Sequence, residues 1–220
     1  MIQLSSISSN NPLEPPADLI GHLAASPRPA IIHYAADGRT ELSGRVAVNW
    51  ATKTTHLLDS YGIAEPDTIL VDVPVTWRAT VLVLGTAWSA LDWTADPANA
   101  AAILTDRPQL YMDSDAEIFV THQETVDAAL VNVDDEVLSQ ADDALLPPAD
   151  IIGRALTDQP TDERVQVLRF GTVITSGSAR LNEALWWAMV DAWRHSRPVV
   201  FVDDADADHL ARIIETERLH

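Results

Sequence analysis

Apolar positions along the chain alternate between short continuous runs and helix-spaced stripes. Pro29 to Tyr34 carries Ala30, Ile31 and Ile32 in succession, Ala36-Asp37-Gly38 punctuates it, and Arg39 to Leu42 returns, which is the pattern of a β-hairpin. Ser43 stands where it can cap the next helix. In that helix Val46, Trp50, Leu57 and Tyr61 recur at helical spacing, with Thr54 filling the gap, until Gly62 stops it and Pro66 follows. Thr68 to Val73 reads as a buried strand and Thr76 as the cap of a second helix. There Trp77, Val81, Leu84, Trp88 and Leu91 form one face, while Leu82, Val83 and Ala87 make the other face apolar too, so this helix is expected to be buried on most sides.

The alternation continues more weakly. Ala100 to Leu104, Glu117 to Thr121 and Ala128 to Val133 read as strands. Residues 134–163 are acidic and interrupted by Pro147, Pro148 and Pro160, the signature of irregular loop and short helix. Val165 to Phe170 is a strand, Leu181 to His195 a helix with Leu185, Met189 and Trp193 on one face, Pro198 to Val202 a strand, and Ala205 to Leu219 a closing helix with Leu210, Ile213 and Ile214 inward. At the other end, residues 1–16 are rich in Ser, Asn and Pro and read as a flexible lead-in, before a short helix at Ala17 to Ala25. Strand–helix–strand order at this spacing predicts an α/β fold, a layered, open, largely parallel sheet with helices on both faces, built as a single domain over 17–220.

Composition narrows the function more than the fold. The formal net charge of −19 repels phosphate backbones and anionic lipid, so neither nucleic acid nor a membrane surface is an expected partner; a protein partner or a second copy is compatible with it. The absence of cysteine removes disulfides, thiolate zinc sites and cysteine nucleophiles together. Val75 to Trp93 is long enough to consider as a membrane span, but Arg78 near its start and strand-like flanks favour a buried helix. Met1 to Asn11 is polar and lacks a basic segment ahead of an apolar run, so no signal peptide is read and a cytoplasmic location is expected.

Candidate chemistry is sparse. None of the eight glycines falls in GxGxxG or GxxxxGK[ST] spacing, no serine has glycine at both ±2, and there is no HExxH. Thr175-Ser176-Gly177-Ser178 follows an apolar strand and precedes a helix, where backbone N–H groups and hydroxyls can hold an anion; alternatively Ser176 or Ser178 only caps that helix. Arg180 is the one arginine beside this turn. Asp204, Asp206, Asp208 and Glu215 have acidic spacing reminiscent of a calcium loop, but His209 occupies the position that needs glycine, and acids at a helix N-terminus are explained by its dipole. No metal site is expected. The histidines lack ligand spacing; His122 is singled out because it follows a strand, where α/β sheets place functional groups.

Residues 29–93 resemble the opening of the AMP-dependent synthetase and ligase family, the adenylate-forming enzymes. The resemblance is carried by Arg39-Thr40-Glu41-Leu42 entering a helix, by Gly62-Ile63-Ala64-Glu65-Pro66-Asp67 leading into a strand, and by Thr86-Ala87-Trp88 near the end of the following helix, where Ala90-Leu91-Asp92 replaces the usual small-residue junction. Leu185 to Glu217 is similar to a later unit of the family, with Val199-Val200-Phe201-Val202 as its strand and an acidic turn after it. The resemblance implies a fold like the family's N-terminal subdomain.

It also implies a chemistry whose parts are missing. The family holds ATP with a Ser/Thr/Gly-rich loop followed by Pro-Lys-Gly, and uses a late lysine from a C-terminal domain. Here Thr175 to Ser178 mimics the opening of that loop, but Ala179-Arg180-Leu181-Asn182 follows, and only about twenty residues separate the turn from the Val199 strand. Lys53 is the one lysine of the 220 residues and lies within a helix pattern. The reading from sequence is therefore a catalytically degenerate ligase-like protein that binds a ligand or partner and takes no cofactor, AMP or ATP binding being unsupported by motifs. Its weak candidate binding residues are Thr175, Ser176, Gly177, Ser178, Arg180 and His122. The alternative is a nucleotide-binding enzyme, or a partial ligase completed by a partner.

Overall fold

The computed structural model describes residues 18–144, 147–151, 162–204 and 206–220. The lead-in read at 1–16, Ala17, and the 152–161 portion of the acidic stretch with Pro160 lie outside the described residues.

The elements are α1 (Leu19–Ala25), β1 (Pro29–Ala35), β2 (Gly38–Ser43), α2 (Gly44–Ser60), β3 (Thr68–Asp72), α3 (Trp77–Trp88), β4 (Asp92–Trp93), β5 (Ala102–Thr105), β6 (Glu117–Val120), β7 (Val131–Asn132), α4 (Val133–Glu136), β8 (Val165–Val167), β9 (Thr172–Thr175), α5 (Glu183–Arg194), β10 (Val199–Val202) and α6 (Ala207–Thr216). The α/β class with largely parallel strands is as expected from sequence. Among the described residues the strands divide between two sheets, ordered β2-β1-β10-β9-β8 and β4-β3-β5-β6-β7. The second is parallel throughout. The first pairs β1, β10 and β9 in parallel between the antiparallel strands β2 and β8.

The central strands of the first sheet are buried on both faces, which is why they read as continuous apolar runs rather than alternating ones. Ile31, Ile174, Val199 and Phe201 point into the main core, which the sheet shares with α2, α3, α5 and the second sheet. Their neighbours Ile32, Val173, Val200 and Val202 point the other way, onto Ile213 of α6 and Leu219. Period-two geometry thus sends successive apolar residues into two cores.

α3 is buried on nearly every side, with Ala79 to Gly85 all in the interior, as its all-round apolar pattern predicts. Thr76 caps it, accepting from the Ala79 N–H at 3.1 Å. The helix ends at Trp88, where Ala90 takes a left-handed φ of 61° and redirects the chain, so Asp92 and Trp93 form an edge strand instead of a longer helix. Among the described residues no helix is long and apolar enough to cross a membrane.

Three sequence expectations are corrected. The face of α2 read as Val46, Trp50, Thr54, Leu57 and Tyr61 is buried only in its middle: Thr54 and Leu57 are interior and Trp50 half-buried, but Val46 is 44 % exposed and Tyr61 38 %. Ala47, Ala51 and Leu58 share the inward face, and α2 approaches α3 closely at Gly85, where a Cβ would meet the Thr54 side chain and lie 2.9 Å from the Ala51 carbonyl oxygen. Val165 to Phe170 is not one strand; β8 stops at Val167 and the chain returns antiparallel as β9, leaving Phe170 exposed on the bend. Finally, α5 begins at Glu183, capped by Asn182, whose Oδ1 accepts from the Leu185 N–H at 3.0 Å, so neither Ser176 nor Ser178 caps it.

Candidate functional site

The last residues of several parallel strands bring chemistry to one edge of the molecule, since carboxyl ends of α/β strands open where loops diverge. Three apolar strands end on an aspartate: Leu70-Val71-Asp72, Leu104-Thr105-Asp106 and Phe201-Val202-Asp203. The second sheet reverses its strand order between β3 and β5, because the chain leaves β3 for β4 on one side and returns to β5 on the other. Such a reversal leaves a crevice, and here side chains fill it.

Asp72 is the centre of this filling. Its carboxylate accepts from Arg107 Nη2 at 2.6 and 2.7 Å, from Tyr111 Oη at 2.9 Å and from Arg180 Nε at 2.9 Å. Arg180 Nη2 also donates to Asp106 Oδ1 at 2.6 Å and to the Asp72 carbonyl. Two guanidiniums therefore meet two carboxylates. Burial works to raise the Asp72 carboxyl, but the bonds from Arg107 and Tyr111 and the charge of Arg180 outweigh it and hold it below the usual carboxylate value. Tyr111 is pushed up by burial and by donating to Asp72.

Arg180 reaches this cluster because two loops pair. Residues 73–75, after β3, run antiparallel to residues 179–181: Leu181 N–H donates to the Val73 carbonyl at 2.9 Å and Val75 N–H to the Ala179 carbonyl at 3.1 Å, with Pro74 opposite Arg180. This strap joins the ends of the two sheets.

The Thr175–Ser178 turn lies at the end of β9 in the first sheet. The polar groups of its first two residues are engaged. Thr175 N–H donates to the Arg164 carbonyl at 3.1 Å, Ser176 N–H donates to the Val202 carbonyl at 3.0 Å, and the Ser176 carbonyl accepts from Ala179 N–H at 2.7 Å. Ser176 Oγ, almost wholly buried, donates to Asp203 Oδ1, the same oxygen that lies 3.1 Å from His33 Nε2. In this line the hydroxyl gives its proton to the aspartate and has no base behind it, so it is held as a structural donor and not as an activated nucleophile. Gly177 turns the chain at φ 43°, and Ser178 is exposed.

His122 stands at the end of β6, near the Arg180 cluster but outside it. Thr121 Oγ1 donates to Asp134 Oδ1 at 2.8 Å and so accepts from His122 Nδ1 at 3.1 Å, and Nε2 lies 2.8 Å from Thr76 Oγ1, which a neutral ring would engage as an acceptor. Burial lowers its proton affinity and Asp134 only partly offsets this, which agrees with a neutral ring.

The six residues singled out from sequence thus fall into three places: the turn 175–178 at the first sheet, Arg180 on the strap, and His122 at the second sheet. Sequence reasoning missed Asp72, Asp106, Arg107, Tyr111 and the His33–Asp203 pair. An acidic residue closing an apolar strand was the available signal. The acids after β10 do not gather: Asp206 caps α6, accepting from the His209 N–H at 2.7 Å. Among the described residues no group of three acids or histidines is placed to hold a metal ion. Lys53 is a clasp between α2 and the acidic loop after α4, 2.8 Å from Asp142 and donating to the Gln140 carbonyl.

No protein-family model matches the sequence and no curated protein is similar to it. Solved structures are similar in fold. The acyl-CoA synthetase of Brucella canis aligns with 86 % of this chain and 43 % of its own, at 16 % identity and a TM-score of 0.63. The O-succinylbenzoate coenzyme A synthetase of Bacillus subtilis aligns with 91 % of this chain and 47 % of its own, at 11 % identity and TM-score 0.62. A luciferase-like enzyme of the mealworm Zophobas morio aligns with 91 % and 56 %, at 11 % identity and TM-score 0.61. The chain spans about half the length of these enzymes. It has the fold of the N-terminal subdomain of adenylate-forming ligases.

Proposed function

We propose that this chain uses a ligase fold to bind a small ligand or a protein partner, and does not itself adenylate a carboxylate. The observation that carries this reading is the neutralised cluster at the strand ends: Arg180, two residues along the chain from the phosphate-loop-like turn, is held by Asp72 and Asp106. Adenylation requires cations free to meet a triphosphate and to stabilise charge developing at phosphorus. A guanidinium already satisfied by two carboxylates offers little to a polyanion, and an acidic chain adds repulsion. The engagement of Lys53 with Asp142 and the hydrogen bonds that hold Thr175 and Ser176 support the same reading. Absence of a nucleotide cofactor and a cytoplasmic location belong to this proposal.

Pyrophosphate exchange with ATP and a panel of carboxylic acids tests it. The expected result is no exchange above background, together with no calorimetric heat from ATP or AMP at millimolar concentration. Robust ATP-dependent exchange by the chain overturns the reading in favour of an active ligase.

A further inference from the structure

We propose that two copies of this chain pair antiparallel along β8, joining their first sheets across a two-fold axis. β8 is an edge of the first sheet, and an edge strand is a template for another strand. Its ladder to β9 shows which groups are left open. Leu168 N–H donates to the Gly171 carbonyl at 2.8 Å and the Arg164 carbonyl accepts from Thr175 N–H at 3.1 Å, so Arg164, Gln166 and Leu168 turn their backbone groups to β9. Val165 and Val167 turn theirs to the open side. Val165 N–H is taken up by the Asp162 carbonyl at 3.0 Å, which leaves the Val165 carbonyl and both groups of Val167 without a partner among the described residues. The other edge of the sheet is built differently. β2 exposes Gly38, Arg39, Thr40 and Glu41 and buries its one apolar residue, Leu42. Charges on an edge discourage pairing. β8 instead exposes Val167 by 59 %, and the bend after it exposes Phe170 by 52 %.

The strand is complementary to itself, which makes a second copy its occupant. With Gln166 on the axis, Val165 stands opposite Val167 of the second copy and Glu163 opposite its Arg169. These four residues share one face of the strand, since side chains alternate. Symmetry repeats each pair, so the contact holds two valine pairs and two opposite-charge pairs, the cross-strand contacts that stabilise sheets. Val167 N–H meets the open Val165 carbonyl of the second copy, again twice. Glu163 and Arg169 are both exposed, and the Arg169 guanidinium lies over the Phe170 ring at 4.9 Å, which holds it beside the end of the strand. Shifting the register by two residues sets Arg169 against Val165 and loses the charge pairs. The stretch from Arg164 to Phe170 carries two arginines and no acid, which lowers the local repulsion between two chains of net charge −19.

This pairing stands apart from the reading above: pyrophosphate exchange reports on adenylation, and molecular mass reports on association. A strand-on-strand contact is smaller than the interface of a permanent dimer, so a dissociation constant between about 10 µM and about 1 mM is expected. Sedimentation equilibrium of the full chain across that range is the test. Val167→Lys, at an exposed edge position, is expected to weaken association at least about tenfold, although it makes the chain less negative. Glu163→Arg and Arg169→Glu are each expected to weaken it about fivefold, by setting like charges opposite one another. Combining the two is expected to restore the affinity of the unaltered chain to within about twofold, because the charge pairs re-form in reverse. Should a variant fail to fold, amide exchange of the unaltered chain decides: the Val167 N–H gains protection as concentration rises. A monomer throughout the range, a dimer that Val167→Lys leaves intact, a double reversal that restores nothing, or Val167 exchange that ignores concentration overturns the proposal.

Discussion

Arg180 Nε donates to Asp72 Oδ1 at 2.9 Å across the seam between the two sheets, at the strap that pairs loops 73–75 and 179–181. The pair is mostly shielded, with the Asp72 side chain 11 % exposed and that of Arg180 30 %. It couples elements separated by more than a hundred residues of chain, so its loss is expected to be felt in global stability. Arg180→Ala should cost about 1.5–3 kcal/mol, the range for hydrogen bonds to charged groups, because Asp72 keeps Arg107 and Tyr111. A double-mutant cycle with Asp72→Ala, read by urea unfolding, should return a coupling energy above about 0.5 kcal/mol. Additive effects would mean that the contact contributes nothing beyond proximity.

The pH dependence follows from the direction of the shifts. Asp72, Asp162 and Glu217 all have carboxyls held below their ordinary values: Asp72 against burial by Arg107, Tyr111 and Arg180; Asp162 by Arg164; Glu217 against burial by Arg39 and Tyr34. A carboxyl depressed in the folded state stabilises the fold fully above its unfolded pKa, about 4, and loses that contribution as pH falls through the folded value. Acidification also relieves the self-repulsion of a −19 chain, which works in the opposite direction. The informative quantity is therefore the difference between wild type and Asp72→Asn. That difference should be constant between pH 7 and 5 and shrink below about pH 4, measured by urea midpoints across the range.

The cap of α5 separates the sequence reading from the structure. Asn182→Ala removes the acceptor for the Leu185 N–H and should cost about 1 kcal/mol. Ser178→Ala, at an exposed turn position, should change the thermal midpoint by less than a third as much. If Ser178→Ala proves as damaging as Asn182→Ala, the helix begins earlier than Glu183.

What was legible in the sequence was whatever a local pattern determines. β1, β3 and β10 were visible because each carries a continuous apolar run, Ala30 to Ile32, Ile69 to Val71 and Val199 to Val202, and α3 because its apolar surface goes all the way round. Capping by Ser43 and Thr76 was visible because a cap is decided within three residues. The face of α2 was misread in part, at Val46 and Tyr61, because periodicity weights large residues, whereas the close approach to Gly85 is made at Ala51 and Thr54. The division of the strands into two sheets was invisible, since pairing of β9 with β10 and of β3 with β5 is decided by tertiary contact. The strand-end cluster was hidden for the same reason: Asp72, Asp106, Arg107 and Arg180 are unremarkable apart and become a site only when the strap carries Arg180 across.

The neutralised cluster makes one functional prediction that runs in the direction of gain. Asp72 and Asp106 balance Arg107 and Arg180, two charges against two, at the strand-order reversal where this class of sheet receives ligands. Replacing both acids by asparagine keeps side-chain volume and hydrogen-bonding capacity while leaving two guanidiniums uncompensated at the strand ends. Wild type should show no heat with inorganic pyrophosphate at millimolar concentration. Asp72→Asn with Asp106→Asn should acquire weak, salt-sensitive binding, since the new attraction is electrostatic and partly exposed to solvent. Ligand at about ten times its Kd should raise the variant's unfolding free energy by about 1.4 kcal/mol, readable as a pyrophosphate-dependent rise in thermal midpoint that wild type lacks. Asp106→Asn alone, which leaves Asp72 at the centre of the cluster, should give a smaller rise and serves if the double variant is too unstable to study. Binding of pyrophosphate by wild type would show instead that Arg180 can leave Asp72 for a phosphate, and that the ion pairs are a resting state of an anion site.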